Sequence, residues 1–125
     1  THGSTYGGNP LACSVALAVL NEIYSDGFLE RVQKNSANFV EQLKMLVDDH
    51  PKIFDSISGL GFMIGIKCSI ENTIVIKQSL KNYLILVPCG ENMVRLLPAL
   101  NISDEDLREG LSRLDTVAKD LEKGL

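Results

Sequence analysis

A chain of 125 residues has room for one core, and a hydrophobic fraction of 45% fits a packed globular fold rather than disorder. A formal net charge of −4, with no local Lys/Arg cluster, argues against nucleic-acid and membrane partners. Three scattered cysteines, Cys13, Cys68 and Cys89, lack CxxC or His/Cys ligand spacing, which predicts no metal site and buried free thiols in a reducing, cytoplasmic compartment.

The chain starts at Thr1 without Met, inside what reads as a working loop, which points to a fragment or cut product. No signal-peptide pattern is visible. His2-Gly3-Ser4-Thr5-Tyr6-Gly7-Gly8-Asn9-Pro10 sets two hydroxyls and three glycines before a helix start. Glycines let backbone N–H groups approach a ligand, and a helix N-terminus attracts anions. The alternative is a plain loop entering a helix, because neither a Walker pattern nor GxGxxG is present. His2 has no visible Ser/Asp or metal partner, so it carries no predicted catalytic role.

Asn9 as N-cap and Pro10 at the first helical position open a helix predicted to run to about Asp26, with Gly27 as its stop. Its stretch Leu11 to Asn21 is nearly uncharged, too short to span a bilayer, and reads as buried nearly all round. A second helix is predicted from Phe28 to about Asp49. Phe28, Val32, Phe39, Leu43, Leu46 and Val47 form its apolar stripe, and His50-Pro51 ends it. Ile53 to Ser58 reads as a short strand, Gly59-Leu60-Gly61 as a breaker or bulge, and Phe62 to Ile66 as a strand buried on both faces.

Glu71 to Tyr83 reads as helix by its length, although Ile74-Val75-Ile76 favours strand locally. Leu84 to Val87 closed by Pro88, a turn at Cys89-Gly90-Glu91-Asn92, and Met93 to Leu97 predict a hairpin. Ser103 with Asp106 starts a last helix, whose stripe is Leu107, Leu111, Leu114, Ala118 and Leu121, with Gly124 as its stop. The order α-α-β-β-α-β-β-α predicts an α/β (α+β) fold, a small mixed or antiparallel sheet with helices on one face.

Arg95 stands among apolar neighbours in Met93-Val94-Arg95-Leu96-Leu97-Pro98. Its planar fork suits a carboxylate. The alternative is an edge-strand arginine reaching water. Ser4 and Thr5 could donate to phosphate or substrate oxygens, or simply cap turns. Glu71, Glu91 and Asp104-Glu105-Asp106 read as solvated or capping charges. No nucleophile, general base or carboxylate pair stands out.

Three segments together resemble the class III pyridoxal-phosphate-dependent aminotransferases: His2 to Ala12, Gly59-Leu60-Gly61-Phe62-Met63-Ile64-Gly65-Ile66, and Val94-Arg95-Leu96-Leu97-Pro98-Ala99-Leu100. Within that family the Arg-Leu-Leu-Pro and Met-Ile-Gly-Ile forms are most similar to the acetylornithine aminotransferases, with the ornithine aminotransferases next. The resemblance implies the C-terminal part of a fold-type-I aminotransferase. A phosphate-contacting loop and linking helix would occupy about 1–26 and the small domain about 27–125. Thr5 and Ser4 would lie at the phosphate of pyridoxal 5'-phosphate, across a homodimer interface. Ser4 would also lie near substrate, and Arg95 would bind the substrate α-carboxylate.

The implied reaction moves an amino group from N-acetylornithine to 2-oxoglutarate, in arginine biosynthesis. The family's cofactor-anchoring lysine lies upstream of the loop, so the resemblance implies activity only within a longer chain. The contrasting function class is a stand-alone, non-catalytic module of the same fold.

Overall fold

The structure is a computed structural model describing residues 3–124; Thr1, His2 and Leu125 lie outside the described residues, and the expectation for His2 lies outside them with it. Eight elements follow in the predicted order: α1 (Pro10–Ile23), α2 (Phe28–Asp49), β1 (Phe54–Leu60), β2 (Met63–Cys68), α3 (Asn72–Lys81), β3 (Val87–Cys89), β4 (Met93–Leu96) and α4 (Asp104–Glu122). The chain divides into two compact units, Thr1–Arg31 and Val32–Leu125.

In the first unit, Asn9 caps α1 by accepting the Ala12 N–H at 2.9 Å, and Pro10 follows it. The helix ends at Ile23, a turn short of the predicted Asp26, and Gly27 at φ +76 marks the start of α2 instead. None of the residues of α1 is buried. The prediction of a helix buried nearly all round is therefore corrected: an uncharged stretch records what a helix could bury, not what this unit supplies to bury it.

In the second unit, one sheet of four strands runs in the order β1-β2-β4-β3, and every pairing is antiparallel, so the mixed alternative falls away. Register places Ile57, Ile66 and Val94 in one row across β1, β2 and β4, and Ser58, Gly65, Arg95 and Val87 in the next, on the opposite face. A bulge at Asp55 lets Phe54 and Ile57 share the buried face. That face, with Phe54, Ile64, Ile66, Cys68 and Val94 buried, meets a core built from the stripes of the helices. Of the six apolar positions predicted for α2, the five in this unit, Val32, Phe39, Leu43, Leu46 and Val47, are buried, as are Leu107, Leu111, Leu114 and Ala118 of α4; Phe28, in the first unit, is buried as well. Ser103 caps α4 through the Asp106 N–H at 3.0 Å.

Three local expectations change. β2 is buried on one face only, since Met63 and Lys67 are exposed while Ile64, Ile66 and Cys68 are not. Its apolar run looked two-sided because Phe62 is buried from the turn, with its ring 6.2 Å from that of Phe39. Strand β3 starts at Val87 rather than Leu84, and Pro88 lies inside it. Because β3 is an edge strand, its proline removes no ladder donor the sheet needs. The breaker Gly59-Leu60-Gly61 is the end of β1 and the start of the turn. Gly59, at φ +132, has no room for a side chain, because a Cβ would stand 2.1 Å from the Met63 carbonyl oxygen.

Asn92 knits the open end of the sheet to α3. At φ 61 it adopts the left-handed conformation that asparagine tolerates. Its amide nitrogen donates to the carbonyls of Cys68 (3.0 Å) and Ile70 (2.8 Å), and its oxygen accepts the Asn72 N–H (2.8 Å). The first turn of α3 is thus capped from 20 residues away, while Glu71 at the N-cap position makes no side-chain cap bond.

Candidate functional site

The candidate residues fall in different units. Ser4 and Thr5 belong to Thr1–Arg31, and Arg95 to Val32–Leu125.

The loop before α1 folds on itself. The Gly7 N–H donates to Ser4 Oγ at 3.0 Å, and the Asn9 N–H and side-chain amide both donate to the Tyr6 carbonyl. Gly8 takes φ +73, which glycine reaches without steric cost. Ser4 therefore holds the turn, while the exposed Thr5 hydroxyl has no intrachain partner among the described residues. The helix N-terminus offers less than the sequence implies. Asn9 already takes the N–H groups of Ala12 and Cys13, and Pro10 has none. Anion-binding capacity in this loop rests on the Thr5 hydroxyl and loop amides more than on the helix end.

Arg95 sits on β4, an inner strand between β2 and β3, with Gly65 opposite on one side and Val87 on the other. The edge-strand alternative is thereby corrected. Its row occupies the sheet face away from the core, where Met63 and Leu97 are exposed. Arg95 is itself only partly exposed, and its Nε is buried without a hydrogen-bond partner. No carboxylate of the described residues forms an ion pair with it. A buried donor without a partner costs about 1–3 kcal/mol, and no described residue of the unit provides an acceptor for this one.

His50 is the opposite case. It ends α2 and is buried, with Nδ1 3.1 Å from Glu122 Oε1 and Nε2 3.0 Å from Asp115 Oδ1. Burial works to lower its pKa, but the hydrogen bonds and charges of the two carboxylates outweigh it and raise the value above 6.5. Asp115 is held below the usual carboxylate range, first by its bond to Lys119 and then by His50. The cluster ties the end of α2 to α4.

Of the cysteines, only Cys68 is buried; Cys13 is exposed and Cys89 intermediate, which corrects the expectation of buried thiols. Burial, with the charge of nearby Cys89 adding to it, pushes the Cys68 thiol up to about 11, so it is unreactive. No cluster of three or more metal-ligating side chains occurs among the described residues, and no described helix is long and apolar enough to cross a membrane.

Two features beside Arg95 were given no role in the reading of the residues. Gly65 directly faces it, and the methyl of Met93 lies 2.8 Å from where a Gly65 Cβ would stand. A glycine in a strand hints at a close approach, but not at what approaches.

With this geometry in view, the comparisons agree with one another. The family model described as aminotransferase class-III matches residues 1–118. An acetylornithine aminotransferase of Mesorhizobium japonicum is 42% identical over 120 residues, covering 96% of this chain and 30% of the relative. The solved ornithine delta-aminotransferase of Plasmodium falciparum superposes with a TM-score of 0.85 at 29% identity, over 100% of this chain and 32% of that one. The acetylornithine aminotransferase of Elizabethkingia anophelis gives 0.82 at 27%, over 96% and 32%. The chain thus spans about a third or less of the length of these proteins. On the match of residues 1–118 and the shared fold, the chain belongs to the class-III aminotransferase family.

Proposed function

We propose that this chain is the C-terminal part of a pyridoxal-phosphate-dependent transaminase that exchanges an amino group between N-acetylornithine and 2-oxoglutarate, and that works as a homodimer. The observation that carries the reading is Arg95: an arginine on an inner strand, its Nε buried and unpaired, on the sheet face away from the core, where Met63 and Leu97 are exposed. A planar guanidinium in that setting suits the α-carboxylate that the amino and keto acids share.

Thr5 supports the cofactor side of the reading. Its exposed hydroxyl, unclaimed in a glycine-rich loop, fits a phosphate oxygen, and Ser4 orders the turn that presents it. The anchoring lysine is assigned to the part of the protein upstream of the loop. When bound, pyridoxal phosphate supplies the electron sink that makes amino-group transfer possible. The residues of this chain bind and orient: Thr5 on the phosphate, Ser4 on the loop and substrate side, Arg95 on the carboxylate. The acetylornithine assignment rests on relatives such as the M. japonicum enzyme, while the fold match to an ornithine delta-aminotransferase keeps ornithine as the second candidate.

The test is a direct comparison of amino donors with the full-length enzyme and 2-oxoglutarate. A higher kcat/KM for N-acetylornithine than for ornithine is the expected outcome. The reverse order would move the protein to the ornithine enzymes.

A further inference from the structure

Arg95, Gly65 and Met93 form a small arrangement with a consequence for how a carboxylate is received. Gly65 and Arg95 are directly opposed on β2 and β4. Met93, two residues before Arg95, is on the same face and is opposed by Lys67. Its side chain does not stay over Lys67. It leans along the sheet, so that its Cε is 2.8 Å and its Sδ 3.8 Å from the position a Gly65 Cβ would take. The thioether methyl therefore fills the space that a side chain opposite Arg95 would occupy.

Gly65 contributes no side chain there, and the Nε of Arg95 is nevertheless buried and unbonded. The geometry points to Met93 as a positioning residue for Arg95: seated over Gly65, it walls the Nε edge of the guanidinium and leaves the two terminal nitrogens as the pair that receives the carboxylate. Methionine suits this task, since its unbranched, polarizable chain fills an irregular gap without adding a competing hydrogen-bond acceptor of any strength. This inference rests on the proposed carboxylate role of Arg95 and deepens it.

Three variants of the full-length holoenzyme test it. Met93→Ala removes the wall. Gly65→Ala places a methyl where the Met93 methyl now lies, and the flexible end of Met93 can swing away, so the strand is kept. Met93→Leu restores bulk. The wall confines the guanidinium to one rotamer, so its loss raises KM for 2-oxoglutarate and the Ki of the unreactive dicarboxylate glutarate about fivefold in both alanine variants. The kcat stays within about twofold, and Met93→Leu returns both constants toward the parent values.

An unchanged KM and Ki in both Met93→Ala and Gly65→Ala would overturn the inference, as would a loss of kcat without a change in Ki. Arg95→Lys run alongside separates the two levels. If it weakens glutarate while Met93→Ala does not, only the positioning role fails. If it leaves glutarate binding intact, the carboxylate role of Arg95 fails first.

Discussion

His50 rests both ring nitrogens on carboxylates, Glu122 at 3.1 Å and Asp115 at 3.0 Å, whereas Arg95 buries its Nε against nothing that can accept from it. Both basic side chains lie in the unit Val32–Leu125, and both are at least partly sheltered from water. The difference separates a basic side chain whose polar atoms are satisfied within the fold from one left with an unpaired donor. A buried donor that is satisfied repays its desolvation at home, while an unsatisfied one carries that cost in the folded chain. Polar satisfaction, more than burial or charge, therefore distinguishes the two sites in this molecule.

The largest effect that could break the comparison is at Arg95. Arg95→Ala removes two charge-assisted bonds to the proposed carboxylate, so KM for both amino and keto acid should rise on the order of 100-fold. Thermal stability should stay level or increase slightly, because a buried unpaired donor is removed. Steady-state kinetics and a melting curve on the same variant read both. A KM that stays put would place Arg95 with His50 among the fold-holding residues.

His50→Ala should do the reverse. It leaves Glu122 without its partner and Asp115 with Lys119 alone; both carboxylates are about a third exposed, so screening limits the loss to about 1–2 kcal/mol in urea titration, with KM unchanged. A variant as stable as the parent would show that the two carboxylates are equally content with water.

The smallest effect is in pH. The folded-state pKa of His50 is raised, so its contribution is fully present below about pH 6.5 and is lost as pH climbs through the folded value. Asp115, whose pKa is lowered, contributes above about pH 3.8 and loses that contribution as pH falls through its folded value. Melting temperature should therefore decline on the alkaline side of 6.5 in the parent, and this decline should be shallower in His50→Ala. Identical alkaline slopes in the two proteins would remove His50 from the account.

Much of this fold is visible in the residues themselves. The stripe of α4, its Ser103 cap, the six apolar positions of α2 and the β3–β4 hairpin turn are all set within a few neighbours of one another, where helical period, capping and turn chemistry act. The eight elements appear in the order those signals predict. Arg95 was legible as an arginine with no local reason to be among Val94, Leu96 and Leu97. The burial of α1 was not, since apolar content says nothing about whether a covering surface is at hand. The one-sidedness of β2 was hidden for a similar reason: Phe62 extends its apolar run but is buried from a turn.

Composition and short-range spacing were enough for the helices, the hairpin and the oddity of Arg95, because propensity, capping and periodicity act over a few residues. Tertiary structure alone made β4 an inner strand, set Met93 over Gly65 and left Nε unpaired. It also brought His50 to carboxylates 65 and 72 residues away. Strand order and the partners of a buried polar group depend on parts of the chain that meet only when it folds, and on which groups are left without water once they do.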